Sequence, residues 1–310
     1  MTNPAAPLDS PKPLAAVRPR AHQRLSRSRR RAGILFALPV VVLEFLLLAV
    51  PLGQAFYYSF TRWDGITSSW VGLGNYQRLF ADPNFWRVIL NNLILLASVP
   101  LAILIPLLVA YLLNEHVLGW RFFRSVYFLP TAISWVVIGM VAIRVFALEG
   151  ILNAILAGLG LDVQTDFLSG EYSAMLAVAI TFIWSVFGTN TIIFITGMAT
   201  LDREVYEAAR VDGASAFTTF RKITIPMLMR FVQFAFILTL ITAFTALFSL
   251  IFIMTGGGPG FGSTTLEFYV YQQGFKVGSF GYAAAIGIVL FAVVFTISIA
   301  QLRLFRSRLD

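Results

Sequence analysis

The chain has 310 residues, 58% of them hydrophobic and only 12% charged, and a mean hydropathy of +0.80. Soluble domains carry about 25% charged residues, so the composition excludes an ordinary soluble fold and suits roughly six membrane spans of about 20 apolar residues each. With no cysteine and only two histidines, His22 and His116, far apart in sequence, disulfides, thiolate metal sites, a cysteine nucleophile and a histidine-based metal site or triad are all excluded.

Residues 1–32 are rich in Pro, Ala and Arg and show no apolar period. They read as a disordered basic arm that sets topology near anionic lipid head groups; nucleic acid is not an expected partner. The apolar run that follows is too long for a signal-peptide core, so no cleavage is expected. Span 1 is expected over Gly33–Phe60. It carries one acid, Glu44, about 16 Å into the bilayer at 1.5 Å per residue, and an intramembrane carboxylate is a candidate functional group. Residues 61–87 read as an amphipathic loop whose Trp and Tyr suit an interfacial belt. Span 2 covers Val88–Leu113, with Asn91 and Asn92 near its start and Pro100 and Pro106 inside it.

After a short loop with Arg121 and Arg124, span 3 is placed at Phe122–Ala147, and Arg144 snorkels at its far end. Residues 148–172 hold four acids and no Lys or Arg. Span 4 covers Ser173–Thr200, where Thr181, Trp184, Ser185, Gly188 and Thr191 recur at helical spacing. A charged insert follows, and then span 5 at Phe231–Met254 with Thr239, Thr242, Thr245 and Ser249 on one face. Residues 255–280 read as a loop, and span 6 covers Gly281–Leu302. Residues 306–310 form a tail.

The charges fix an expected topology. The N-terminal arm, the loop between spans 2 and 3, the insert and the C-terminal tail hold about 18 of the 23 Lys and Arg residues, by the positive-inside count. Both termini are therefore expected in the cytoplasm, and the net charge of +8 is a topology device.

Two motifs remain. Thr255-Gly-Gly-Gly-Pro-Gly-Phe-Gly-Ser-Thr264 lacks the lysine of a phosphate loop and lies between apolar spans, so it reads as a turn. The insert, residues 201–226, reads as a helix–turn–helix. Leu201–Asp212 forms the first helix, with Asp202 and Glu204 at its positive end. Leu201, Val205 and Ala208 share a face, Gly213 ends the helix, and Ala214–Lys222 forms a second short helix that Pro226 breaks before span 5.

The pattern Glu207-Ala208-Ala209-x-x-x-Gly213-x9-Ile223-x-Ile225-Pro226 resembles the EAA loop of binding-protein-dependent ABC importer permeases, with Ile225 where the family usually has Leu. Tyr206-Glu-Ala-Ala-Arg-Val-Asp-Gly-Ala214 is similar to the maltose-type carbohydrate subgroup. Trp70-Val-Gly-Leu-Gly-Asn-Tyr76, Phe123-Arg-Ser-Val-Tyr-Phe-Leu-Pro130, Thr255-Gly-Gly-Gly-Pro259 and Phe280-Gly-Tyr-Ala-Ala284 add to the likeness, which covers about residues 33–305.

The resemblance implies an all-α membrane protein of six transmembrane helices, with the type I importer permease fold and a cytoplasmic coupling helix, in the bacterial inner membrane. It implies a second, homologous permease subunit, two ATPase subunits that bind ATP and Mg, and an external solute-binding protein. This chain would bind no cofactor or metal and have no catalytic residue. Glu207, Ala208, Ala209, Arg210, Asp212, Gly213, Ile223 and Pro226 would contact the ATPase, with Glu207 pairing with an arginine there. A sugar or oligosaccharide wants an aromatic platform and hydroxyl partners, for which Trp184 and Ser185, and Phe244 with Thr242 and Thr245, are the candidates. Glycerol 3-phosphate or another polar solute is the alternative within this reading. An ion-coupled secondary transporter would rest on Glu44 and leave the insert unexplained.

Overall fold

The computed structural model describes residues 27–114, 120–161 and 164–306. The basic arm before residue 27, His116, Asp162 and the tail beyond residue 306 lie outside the described residues. The chain divides into two compact units, Met1–Leu52 and Gly53–Asp310. In the first, helix α1 (Arg27–Glu44) leads into a π turn, Phe45–Ala49. Glu44 ends α1 and is exposed.

In the second unit, α2 (Val50–Ser59, begun in the first) leads into a hairpin of β1 (Thr61–Trp63) and β2 (Ser68–Trp70), paired antiparallel with Arg62 opposite Ser69. The hairpin lies within residues 61–87, expected as an amphipathic loop. Asp64 makes the turn: its Oδ1 accepts the N–H groups of Ile66 and Thr67 at 2.9 and 2.7 Å, while Gly65 takes φ +99°. These donors hold the Asp64 carboxyl below its ordinary range, because hydrogen bonds to a carboxylate favour its charged form.

Helices α3 (Gly74–Ala81) and α4 (Pro83–Asn114) follow. α4 packs along α8 (Glu171–Met198). Between them come α5 (Trp120–Ala132), α6 (Trp135–Phe146) and α7 (Ile151–Gly158). Span 3 is thus not continuous over Phe122–Ala147. The chain breaks at Ile133–Ser134, where Ser134 caps α6 by accepting the Val137 N–H, and α7 lies within the acidic segment, residues 148–172.

The insert contains α9 (Arg203–Val211), α10 (Ala216–Thr219), a π turn at Phe220–Thr224 and α11 (Ile225–Met227). Span 5 is also broken: α12 (Met229–Thr245) ends at Ala246, and α13 (Phe248–Met254) begins beyond Leu247. α14 (Leu266–Tyr271) and a third π turn, Gln272–Lys276, replace part of the expected loop before α15 (Phe280–Arg306).

Among the described residues, five runs are long and apolar enough to cross a membrane: Ala32–Tyr58, Pro83–Leu113, Trp135–Gly158, Glu171–Met198 and Phe280–Arg303. A sixth is the pair Ala216–Met227 and Met229–Thr245, bent by 73°. The bend falls at Leu228, two residues after Pro226. The expectation that Pro226 itself ends the helix is corrected. The π turn before it widens the backbone, so a proline, whose ring clashes with the carbonyl four residues back in an α-helix, is accommodated.

The main core joins α4, α6, α8, α12 and α13 through fully buried residues such as Leu95, Val99, Phe182, Phe194, Leu240 and Ile251. A smaller core gathers Leu79, Phe85, Val88, Leu266, Tyr269, Tyr282 and Ile286. There Asp82 Oδ2 accepts the hydroxyls of Tyr269 and Tyr282 at 2.7 and 3.3 Å. The glycine-rich turn is held by α4: Asn91 Nδ2 donates to Phe261 O and Thr264 O, and Asn92 Oδ1 accepts the Leu266 N–H.

Candidate solute cavity and coupling segment

A cavity of about 330 Å³ opens where α5, α6, α8 and α12 meet. Its polar lining is Thr131, Ser185, Thr189, Asn190, Thr239 and Thr242, beside the indole of Trp135, and no lining residue is charged. Ser185 Oγ donates to Phe182 O at 2.7 Å and Thr242 Oγ1 to Leu238 O at 2.8 Å. In an apolar helix a hydroxyl satisfies itself in this way on the preceding turn. Its oxygen lone pairs then remain to accept a bond from a guest.

Asn190 organises one wall. Its Nδ2 donates to Ala102 O at 2.7 Å and to Thr239 Oγ1 at 3.1 Å, tying α4, α8 and α12 together. α5 approaches α8 closely at Gly188, where a β-carbon would stand 2.5 Å from Tyr127 O.

The residues expected along the solute path therefore separate. Ser185 and Thr242 share this cavity. Trp184, one step of about 100° round the same helix, faces a different cavity of about 220 Å³ with Thr181 and Phe146. Phe244 is 2% exposed and packs in the core. Thr245 is exposed and donates to Ile241 O; neither it nor Phe244 lines either cavity. Sequence reading missed Trp135, Thr131, Thr189 and Asn190. Trp135 and Thr131 flank the break in span 3, which an unbroken helix conceals, while the face read on α8 skipped positions 189 and 190.

In the insert, the expected first helix forms as α9, two residues shorter at its start and one at its end, and the expected second helix, Ala214–Lys222, is the short α10 followed by the π turn. Asp202 caps α9, its Oδ1 accepting the Glu204 N–H at 3.2 Å. Gly213 has φ +73°, and the N–H groups of Gly213 and Ala214 close on Arg210 O and Ala209 O at 3.1 and 2.9 Å. This paired bonding is the left-handed helix end that glycine permits. Tyr206 and Ala209 form the inward face: Ala209 is buried, and the Tyr206 hydroxyl lies 3.3 Å from Thr224 Oγ1. Leu201, half-buried, also packs against the main core, while Val205 and Ala208 of the face it was expected to share are exposed. Glu207, Ala208, Arg210, Asp212, Gly213 and Pro226 are exposed, and Ile223 is half-buried. Val211 and Phe217, on either side of Gly213, are 87% and 70% exposed.

Residues 81–310 match the family model described as binding-protein-dependent transport system inner membrane component. The chain is 32% identical over 276 residues to the multiple sugar-binding transport system permease protein MsmF of Streptococcus mutans, covering 88% of this chain and 94% of that one. It is 32% identical over 285 residues to the arabinooligosaccharides transport system permease protein AraP of Bacillus subtilis, covering 89% of each. Among solved structures, it resembles a bacterial ABC transporter involved in import of the acidic polysaccharide alginate. The TM-score is 0.77 at 22% identity, over 92% of this chain and 99% of that chain. That likeness gives the chain the type I permease fold of ABC importers. The family match covers most of the chain, and the relatives align over nearly their whole lengths: the protein belongs to the family of binding-protein-dependent transport system inner membrane components.

Proposed function

We propose that this chain is the membrane-spanning subunit of an ATP-driven importer for a neutral sugar or oligosaccharide delivered by an external solute-binding protein. The observation that carries the solute class is the cavity, with a tryptophan beside six hydroxyl or amide side chains and no charge. A sugar offers an apolar ring face and many hydroxyl donors, which match an indole and a set of free acceptor lone pairs. A phosphorylated solute such as glycerol 3-phosphate would need a cation there, and Arg144 is not among the lining residues. The names of MsmF and AraP, which concern sugars and oligosaccharides, support the same class.

The exposed Glu207-to-Gly213 face is the seat of an ATPase subunit in this reading, and a second permease completes the pathway. ATP and Mg belong to the ATPase subunits. The positive-inside count supports cytoplasmic termini and a cytoplasmic coupling segment. Transport then proceeds by rigid-body rotation of the subunits around the cavity.

The test is uptake of radiolabelled oligosaccharides by cells carrying the variant subunit, with complex assembly checked by co-purification. Trp135→Ala and Thr242→Val should each raise the half-saturating concentration about tenfold, on the scale of one lost stacking or hydrogen-bonding contact. Unchanged half-saturation in both variants, in assembled complexes, would count against the cavity as the solute site.

A further inference from the structure

Span 5 breaks where the cavity ends, since Thr242 and Ala246 both line it. Leu247, just past the break, is the N-cap of α13, and the first N–H groups at a helix start have no partner within it. Leu247 is fully buried, so water cannot serve it. Its N–H donates instead to Glu267 Oε2 at 3.0 Å, and the Phe248 N–H is directed at the same carboxylate.

Glu267 belongs to neither half of the broken span. It sits in the first turn of α14, which Thr265 caps by accepting the Phe268 N–H at 3.4 Å. Asn91 and Asn92 pin the same turn to α4 through Thr264 O and the Leu266 N–H, at 2.9 and 2.8 Å. The carboxylate thus stands on a support fixed to one helix and grips the discontinuity of another.

We propose that Glu267 is the positioning residue of the solute cavity: by holding the Leu247 N–H it fixes the break in span 5, and with it the placement of Thr242 and Ala246. The proposal rests on the reading of the cavity as the solute path. Removing the carboxylate leaves a buried donor unpaired, which destabilises the held arrangement.

The charged and titratable groups on the elements packed against α14 are engaged elsewhere or distant. Arg87 of α4 pairs with Glu171 at 3.6 Å. Lys276 Nζ lies 5.8 Å over the rings of Phe268 and Tyr271. Tyr282 of α15 and Tyr269 donate to Asp82. Arg230 of α12 lies at the opposite end of its helix from Leu247, Arg303 lies near the far end of α15, and α13 carries no charge. Burial, only partly opposed by the two backbone donors, pushes Glu267 up to about 7. A carboxyl whose pKa is higher when held than when released binds its proton more tightly in the held state. The held state is therefore favoured below neutrality and weakened as pH rises through about 7.

The chain contains no cysteine, so Ala246→Cys and Thr242→Cys each place the sole thiol of this subunit in the cavity. The full transporter, reconstituted in proteoliposomes, is treated with a membrane-impermeant maleimide, and labelling of this subunit is followed on a gel. Glu267→Gln keeps the shape and an acceptor oxygen without titrating, so its pH profile reports the thiol's own ionisation. The ratio of the parent rate to the Glu267→Gln rate should rise up to about tenfold from about pH 6 to about pH 8. Glu267→Ala should label fast throughout. A ratio independent of pH, with Glu267→Ala no faster than Glu267→Gln, overturns the proposal alone. A thiol at position 242 that the maleimide never reaches in any variant overturns the solute-path reading and the proposal with it. If Glu267→Ala fails to assemble, the comparison of parent and Glu267→Gln decides.

Discussion

A proline deprives the carbonyl four residues back of its helical donor. Pro106 does this to Ala102, and Asn190 supplies the missing donor from another helix at 2.7 Å. The same amide reaches Thr239, so one side chain closes a gap in α4 and joins two cavity walls. Asn190→Leu should destabilise the protein by about 1–3 kcal/mol, because it orphans a buried carbonyl. A lower thermal midpoint of the purified complex is the check, and an unchanged midpoint would show that water fills the place. Pro106 was legible in the sequence as a proline inside span 2. Its partner was not, since the two helices are neighbours only in the folded chain. Gly213 was fully legible, because a glycine after a run of helix formers announces a left-handed end.

At the scale of the element, apolar periodicity found the spans and missed their interruptions. Ala246 and Leu247 look like any other apolar pair, and their break depends on a carboxylate twenty residues further on. Ile133–Ser134 is similar: a serine within an apolar run reads as helix until its oxygen is seen to cap the next one. The hairpin at Asp64–Gly65 did carry a sequence signal, an Asp-Gly pair, but three-residue strands have too few positions for alternation to register. Helix crossings are likewise hidden. Gly188 appeared as one member of a polar face, whereas the structure makes it the contact point of α5 and α8. Gly188→Leu should separate these helices at a cost of about 1–3 kcal/mol, seen as reduced yield of assembled complex. Assembly at the parent level would show that α5 can move aside without loss.

For the whole molecule, the outline was the most legible part, because the bilayer demands long apolar spans and the insert is an island of charge between them. The proposed energy input enters through that island. Glu207→Ala should lower solute uptake about tenfold or more, the scale of one charge-assisted hydrogen bond, while ATP hydrolysis by the assembled transporter continues. Simultaneous assays of uptake and phosphate release in proteoliposomes measure this, and parallel loss or retention of both would count against a coupling role. Beyond that face, the π turn at Phe220–Thr224 bears on how relatives are aligned. A π turn is an α turn with one residue to spare, so dropping a residue there narrows the loop of backbone and leaves both flanks in phase. The same loss between Leu201 and Gly213 would turn Glu207 by about 100° away from its face. A one-residue gap in an alignment of this segment therefore belongs at positions 220–224, and nowhere in the helix before it.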